Sequence, residues 1–287
     1  MLSDSFLRRL DALALRVSHQ AGGGSGGLRR SRSLGSSVEF SDFREYLMGD
    51  DIRRVDWNAY ARFERLFIKL FMEEREQRVN LIVDASASMG FGEPAKWQAA
   101  VQMAEALGYM ALCGGDSVTV YALGDTARHT RALHGRHGYP ELSDFLESVT
   151  PCGQARLNAA VPMLPLPSGR GMSVLIGDML SEDGYDRAVA SLIYRRQETA
   201  VVQLLSHEEW EPTLESVAEL EDSETGETFL AGMGYDLLRR YREAAARYVS
   251  ELREHCVKRG AMYELLLPGE DFEQDMLRAL SRAGLIG

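Results

Sequence analysis

The sequence predicts an α/β protein, a doubly wound and mainly parallel sheet preceded by an N-terminal loop-rich elaboration. Three observations carry that expectation. The apolar run Val79–Val83 ends in Asp84, with Ser86 and Ser88 beyond it, as a buried parallel strand does when it delivers polar groups at its carboxyl end. A later apolar run, Met172–Gly177, likewise ends in an acid, Asp178. Between and after them, apolar runs of strand length alternate with segments of helical spacing, the pattern of strand–helix–strand units.

With 287 residues, the chain has room for a sizeable core and reads as one large domain plus an elaboration. The expected division is a helix over 1–20, a linker over 21–36, an aromatic and charged segment over 37–77 and the α/β domain over 78–287. The net charge of −11 argues against nucleic acid or an anionic membrane surface as partner. Cys113, Cys152 and Cys256 lie far apart and show neither a disulfide framework nor zinc-ligand spacing, which fits a reducing cytoplasm. The first twenty residues carry Asp4 and Asp11 and no continuous apolar core, unlike a secretory signal. Nothing reaches the run of about 18 apolar residues that spans a membrane.

Phe6, Leu7, Leu10, Leu13, Ala14 and Val17 repeat at helical spacing, so an amphipathic helix opens the chain, capped by Ser3 or Asp4. The run GGGSGG within Ala21–Gly27 lacks the GK[ST] ending of a phosphate-binding loop and reads as a linker, followed by an arginine cluster expected as an exposed charged turn. From Val38 to Glu74 acids, arginines and aromatics interleave. At that density they can pair internally and lock a compact segment. The alternative is that Arg53, Arg54 and Arg62 face outward to grip a partner or a phosphate. Arg53, Arg54, Asp56, Trp57 and Arg62 are therefore the candidate partner-binding residues. Leu66–Met72 reads as a buried strand.

Beyond Asp84, helices are expected over Lys96–Leu112, Pro140–Val149, Asp186–Arg196, Tyr235–Lys258 and Phe272–Ala283, with strands at Ser117–Leu123, Thr199–Leu205 and Met262–Leu267. Val217–Leu230 reads as two strands joined by a turn. The stripe Leu237, Leu238, Tyr241, Ala244, Ala245, Tyr248, Leu252 and Cys256 is expected to pack on the core. His129, His134 and His137 fit neither an HExxH helix nor a zinc knuckle and read as loop residues.

Asp84, Ser86 and Ser88 form a DxSxS corner whose carboxylate and hydroxyls can converge on a hard cation. Asp178 should share its edge, because binding sites of parallel sheets lie beyond the carboxyl ends of the strands. The bland readings are a polar turn, with Ser86 or Ser88 capping the next helix, and an Asp178 that caps its own segment or pairs with an arginine. A phosphotransferase of the haloacid dehalogenase type would want a second acid where Ser86 stands. A serine hydrolase would want GxSxG on a strand-to-helix elbow, and a dinucleotide enzyme a glycine-rich turn after a strand; the GGGSGG run follows no apolar strand and serves neither. The residues point to coordination and recognition, with a metal-dependent hydrolase or phosphotransferase and a purely structural scaffold as the alternatives.

The segments EFSDFREY, GDDIRRVDWNAYARFERLFIKLF and LIVDASASM together resemble the bacterial family known as domain of unknown function fifty-eight, from about Ser31 onward. The resemblance implies a von Willebrand factor type A-like, Rossmann-like fold with a metal-ion-dependent adhesion site. Its metal residues would be Asp84, Ser86, Ser88 and Asp178, and its cofactor Mg2+. The threonine that normally completes such a site falls in Gly153–Asn158, where Ala155 and Arg156 stand; an alanine cannot coordinate, and an arginine would repel Mg2+ or replace its charge. The resemblance also implies a non-enzymatic adaptor or co-chaperone in the cytoplasm, partnered by a MoxR-type AAA+ ATPase and a client protein, with peripheral association with membrane proteins left open.

Overall fold

The computed structural model describes residues 2–13, 39–48, 52, 55–72, 77–212, 220–221, 228–229, 235–269 and 271–286. The chain divides into two compact units, Met1–Arg29 with Gln77–Gly287, and Arg30–Glu76. The glycine-rich linker lies outside the described residues, as do Arg53 and Arg54.

The opening helix α1 (Asp4–Leu10) is capped by Ser3, whose hydroxyl accepts from the Phe6 amide at 3.2 Å. Phe6 and Leu10 are fully buried in the main core. The helix is shorter than its apolar repeat, ending at Asp11, whose carboxylate accepts from the Tyr109 hydroxyl at 2.8 Å and the Arg136 guanidinium at 2.5 Å. Ala14 and Val17 lie outside the described residues.

In the smaller unit, β1 (Glu39–Glu45) runs antiparallel to β2 (Phe67–Met72), with Glu45 opposite Phe67 and Glu39 opposite Met72. Between them sits α2 (Trp57–Phe63), which starts at Asp56 because that carboxylate accepts from the Asn58 and Ala59 amides at 2.8 and 3.1 Å. The helix ends at Glu64, held in a left-handed conformation at φ 53°. Among the described residues of this unit, Val55 and Ile68 are buried apolar residues, and they form a β-bridge backbone to backbone.

The larger unit is built on β3 (Arg78–Asp84), β4 (Ser117–Leu123), β5 (Ala127–His129), β6 (Leu133–His134), β7 (Met172–Gly177), β8 (Glu198–Leu204) and β11 (Met262–Leu266), in the order β11-β8-β7-β3-β4-β5 with β6 also on β4. β3, β4, β7, β8 and β11 are mutually parallel. A separate short pair, β9 (Leu220–Glu221) and β10 (Thr228–Phe229), is antiparallel. Side chains alternate between faces. Leu81, Val83, Val174 and Ile176 meet α1, α3 (Lys96–Cys113), α4 (Tyr139–Glu147) and α9 (Phe272–Arg282), while Ile82, Leu175 and Val201 meet α5 (Leu157–Met163), α6 (Asp186–Tyr194) and α8 (Tyr235–Lys258). β5 and β6 run antiparallel to β4, so the observed fold is a doubly wound, mainly parallel sheet with both faces covered.

Three expectations change. His129 and His134 are strand residues, on β5 and β6 against β4, and His137 sits in a 3-10 turn; two- and three-residue edge strands carry too short an alternation to read. Helix α5 was hidden by its internal Pro162. On α8, Leu237 and Tyr241 are exposed and Val249 joins Leu252 and Cys256 in the core. Helix α7 (His207–Trp210) is a single turn after β8, closed by a capping box between Ser206 and Glu209. No helix among the described residues is long and apolar enough to cross a membrane.

Candidate functional site

The chain leaves β3 for β4 on one side and then returns to β7 on the other. The gap between the carboxyl ends of β3 and β7 is thus the topological switch point, where loops diverge and doubly wound sheets bind their ligands. Asp84 ends β3 and Asp178 follows β7, and both are 1 % exposed. Their approach depends on Gly177, where an added Cβ would come within 2.5 Å of the Asp84 Cβ.

The Asp84 Oδ1 accepts from the Ser86 amide at 2.9 Å and from the Ser86 hydroxyl at 2.6 Å. Ser86 Oγ lies 3.0 Å from Ser88 Oγ, and Ser88 Oγ donates to Asp178 Oδ2 at 2.7 Å. One hydrogen-bonded row therefore joins the four sequence-predicted metal residues. Ser86 precedes a 3-10 turn, Ala87–Gly90, without capping it, so its hydroxyl serves the corner. Ala85 and Ala87 hold the flanking loops through the Ala85 amide to Leu123 O at 2.7 Å and the Ala87 amide to Gly153 O at 3.0 Å.

Sequence reasoning missed the fifth member. Lys96, in the first turn of α3, is fully buried, and its Nζ donates to Asp178 Oδ2 at 2.8 Å and to Glu209 Oε1 at 2.6 Å. Burial works to lower the lysine pKa, but the charges and hydrogen bonds of Asp178 and Glu209 outweigh it and hold the pKa above the ordinary 10.5. The ammonium thus stays charged through the physiological range. Glu209 Oε2 meanwhile accepts from the Ser206 amide at 2.7 Å, so the carboxylate cannot rotate away without opening the capping box. Two signals were present: a lysine in a first turn opposes the helix dipole, and Ser206 with Glu209 has capping-box spacing.

Asp178 is fixed on every side. Its Oδ1 accepts from the Leu180 amide at 3.0 Å, and its carbonyl accepts from Gln203 Nε2 at 2.9 Å, with Gln203 in turn accepting from the Tyr263 hydroxyl at 2.7 Å. Met179, at φ 60°, is held there by the Tyr248 hydroxyl donating to its carbonyl. The loop expected to bring a threonine offers only backbone: Ala155 is buried and its carbonyl accepts from the Ser181 hydroxyl at 2.6 Å, while the Arg156 side chain is exposed.

As these side chains stand, the corner does not fit Mg2+. The donors are hard oxygens of the right kind, but both lone pairs of Asp178 Oδ2 are committed, to Ser88 and to Lys96. An ion bound to that oxygen would sit within about 5 Å of the ammonium, a repulsion of about 7 kcal/mol at an effective dielectric of about 20, which Glu209 offsets in part. Among the described residues, no three His, Cys, Asp or Glu side chains converge as a metal-holding group.

At the rim, Ser88 is half-buried, and Phe91 and Leu180 are half-exposed, at 50 % and 48 %. The other sequence candidates lie in the smaller unit. There Asp56 is engaged in capping α2, while Trp57 and Arg62 are exposed.

A family described as "Protein of unknown function DUF58" matches residues 42–251. The protein named "Uncharacterized protein Rv1480", from Mycobacterium tuberculosis (strain ATCC 25618 / H37Rv), is 27 % identical over 253 residues, covering 85 % of this chain and 79 % of its own; "Uncharacterized protein Mb1516", from Mycobacterium bovis, matches equally. Among solved structures, a von Willebrand factor type A protein from Catenulispora acidiphila is 15 % identical at a TM-score of 0.47 and covers 76 % of this chain, which spans only 44 % of that one. BatB from Bacteroides thetaiotaomicron is 15 % identical at a TM-score of 0.44, covering 72 % of this chain and 98 % of its own.

Proposed function

This chain belongs to the DUF58 family, and from that premise we propose that it is a non-enzymatic protein-interaction module whose contact edge is the Asp84–Asp178 corner. The observation that carries the reading is the convergence of Asp84, Ser86, Ser88 and Asp178 at the switch point, with the half-exposed Phe91 and Leu180 beside them. The carboxylates are locked inside, so a partner meets the Ser88 hydroxyl and the two apolar side chains at the rim. Apolar anchors beside a few fixed polar groups are what protein interfaces use.

The same geometry weighs against a phosphotransferase. Asp84 is 1 % exposed and already accepts two hydrogen bonds from Ser86, whereas an attacking carboxylate must meet its substrate. The Mg2+ expected from Asp84, Ser86, Ser88 and Asp178 has no part in this contact. The partner in this reading is a MoxR-type AAA+ ATPase in the cytoplasm, with a client protein handed between them, and Trp57 and Arg62 offer that partner a second surface on the smaller unit.

The test is co-purification with the AAA+ ATPase encoded in the same genome, with and without ATP, alongside the ATPase rate. Association in nucleotide that is lost in the Phe91→Ser, Leu180→Ser double variant supports the reading. No association in any nucleotide state overturns it.

A further inference from the structure

We propose that the Lys96 ammonium is the resident cation of this corner, so that the corner works without a metal ion and conceals a latent divalent-cation site that Lys96 keeps closed. The inference deepens the reading of the corner as the functional edge. Its test involves no partner protein.

Lys96 occupies its place against two penalties. A buried ammonium gives up its hydration, and a cation in the first turn of a helix faces the positive end of the helix dipole. Both are offset by Asp178 and Glu209, at 2.8 and 2.6 Å. Glu209 is itself pinned by its capping box, with its amide donating to Ser206 Oγ at 3.1 Å and its Oε2 accepting from the Ser206 amide at 2.7 Å. The ammonium therefore has a fixed seat on the oxygen that a cation at this corner would need.

Everything else in the corner is suited to a small hard cation. Ser86 Oγ to Ser88 Oγ is 3.0 Å and Ser88 Oγ to Asp178 Oδ2 is 2.7 Å; neighbouring vertices of an octahedron with bonds of about 2.1 Å lie about 3 Å apart. Removing the ammonium returns a lone pair to Asp178 Oδ2 and leaves Glu209 as a further hard oxygen ligand. Ala155 offers no hydroxyl, so water would complete the shell.

Mn2+ is the probe, followed by electron paramagnetic resonance and calorimetric titration together with thermal melting. Wild type is expected to show no saturable binding at millimolar Mn2+ and no change in melting temperature. Lys96→Met, which keeps the unbranched stem as far as the ε position and removes the ammonium, is expected to bind Mn2+ at least tenfold more tightly than wild type, to be stabilised by it, and to lose both effects when Asp84→Ala is added. Lys96→Met/Glu209→Gln asks the same question if the single variant fails to fold, and the wild-type titration decides alone if both fail. Saturable Mn2+ binding by wild type that Asp84→Ala abolishes would overturn the proposal, as would a folded Lys96→Met that binds no more tightly than wild type. Either result leaves the ATPase association to stand or fall by itself.

Discussion

Asn80 and Asp84 lie on one strand, four residues apart, and at both ends of β3 the chain buries polar groups against β7. The two ends do it differently. At the amino end Asn80 Nδ2 lies 3.2 Å from Ser173 Oγ, 3.3 Å from Gln197 Oε1 and 3.4 Å from Met172 O, and Gln197 Nε2 donates to Pro167 O and Gly169 O at 3.1 and 2.7 Å. Every group in that network is neutral. At the carboxyl end three acids and a lysine share the space. A satisfied neutral network needs no countercharge, whereas a buried charge needs a matched partner in a fixed place. The contrast runs along a single strand: the neutral end joins strands, and the charged end sits at the switch point where the loops part.

The largest effect is expected at the charged end. Lys96→Ala strands Asp178 and Glu209 in the interior and should cost about 3–5 kcal/mol, read by urea unfolding. A cycle with Glu209→Gln should show strong coupling, and additive losses would break the contrast. At the neutral end, Asn80→Leu leaves Gln197 and Ser173 without a shared donor and should cost about 1–3 kcal/mol, with no change in partner capture. Ser88→Ala removes the hydroxyl between Ser86 and Asp178, at about 0.5–1.5 kcal/mol, yet should weaken ATPase capture more than Asn80→Leu does. Phe91→Ser with Leu180→Ser should shift stability by no more than about 0.5 kcal/mol each while abolishing capture.

The smallest effect lies outside both ends. His255 Nδ1 is 2.8 Å from Asp186 Oδ1, and burial and then Arg259 push the imidazole below its ordinary pKa of 6.5, against the pull of Asp186. The unfolded chain therefore takes up this proton first as the pH falls. The stability that neutral His255 contributes is complete above pH 6.5 and is lost as the pH drops through the lowered folded value. Melting temperatures between pH 8 and pH 5 should fall less steeply in His255→Gln than in wild type.

Much of this was legible because parallel strands announce themselves. The apolar runs ending at Asp84 and Asp178 fixed both strands and the shared corner together, since side chains just past parallel strands meet on one edge. That Ser86, Ser88 and Asp178 share this edge was expected as a cation site; their hydrogen bonding to one another was not. Lys96 was not legible, because a lysine opening a helix ordinarily points to water, and its burial depends on two acids, Asp178 and Glu209, that lie 82 and 113 residues later. The lack of a hydroxyl in Gly153–Asn158 was readable, but the source of positive charge at the corner was not: the sequence offered Arg156, and the cation at Asp178 is Lys96. Helix α5 escaped because Pro162 breaks the expected pattern, and the histidines because their strands are shorter than any periodicity can register.

The double engagement of Glu209 has a consequence in time. Lys96 meets Asp178 across 82 residues and Glu209 across 113, and such long-range contacts form late, after the loop closures that bring them together. During synthesis the chain must be released past β8 and its following turn before Lys96 gains its second acid. The corner therefore closes only on a chain in which β3, β7 and β8 have all been made, while β11 (Met262–Leu266) and α9 are still to come.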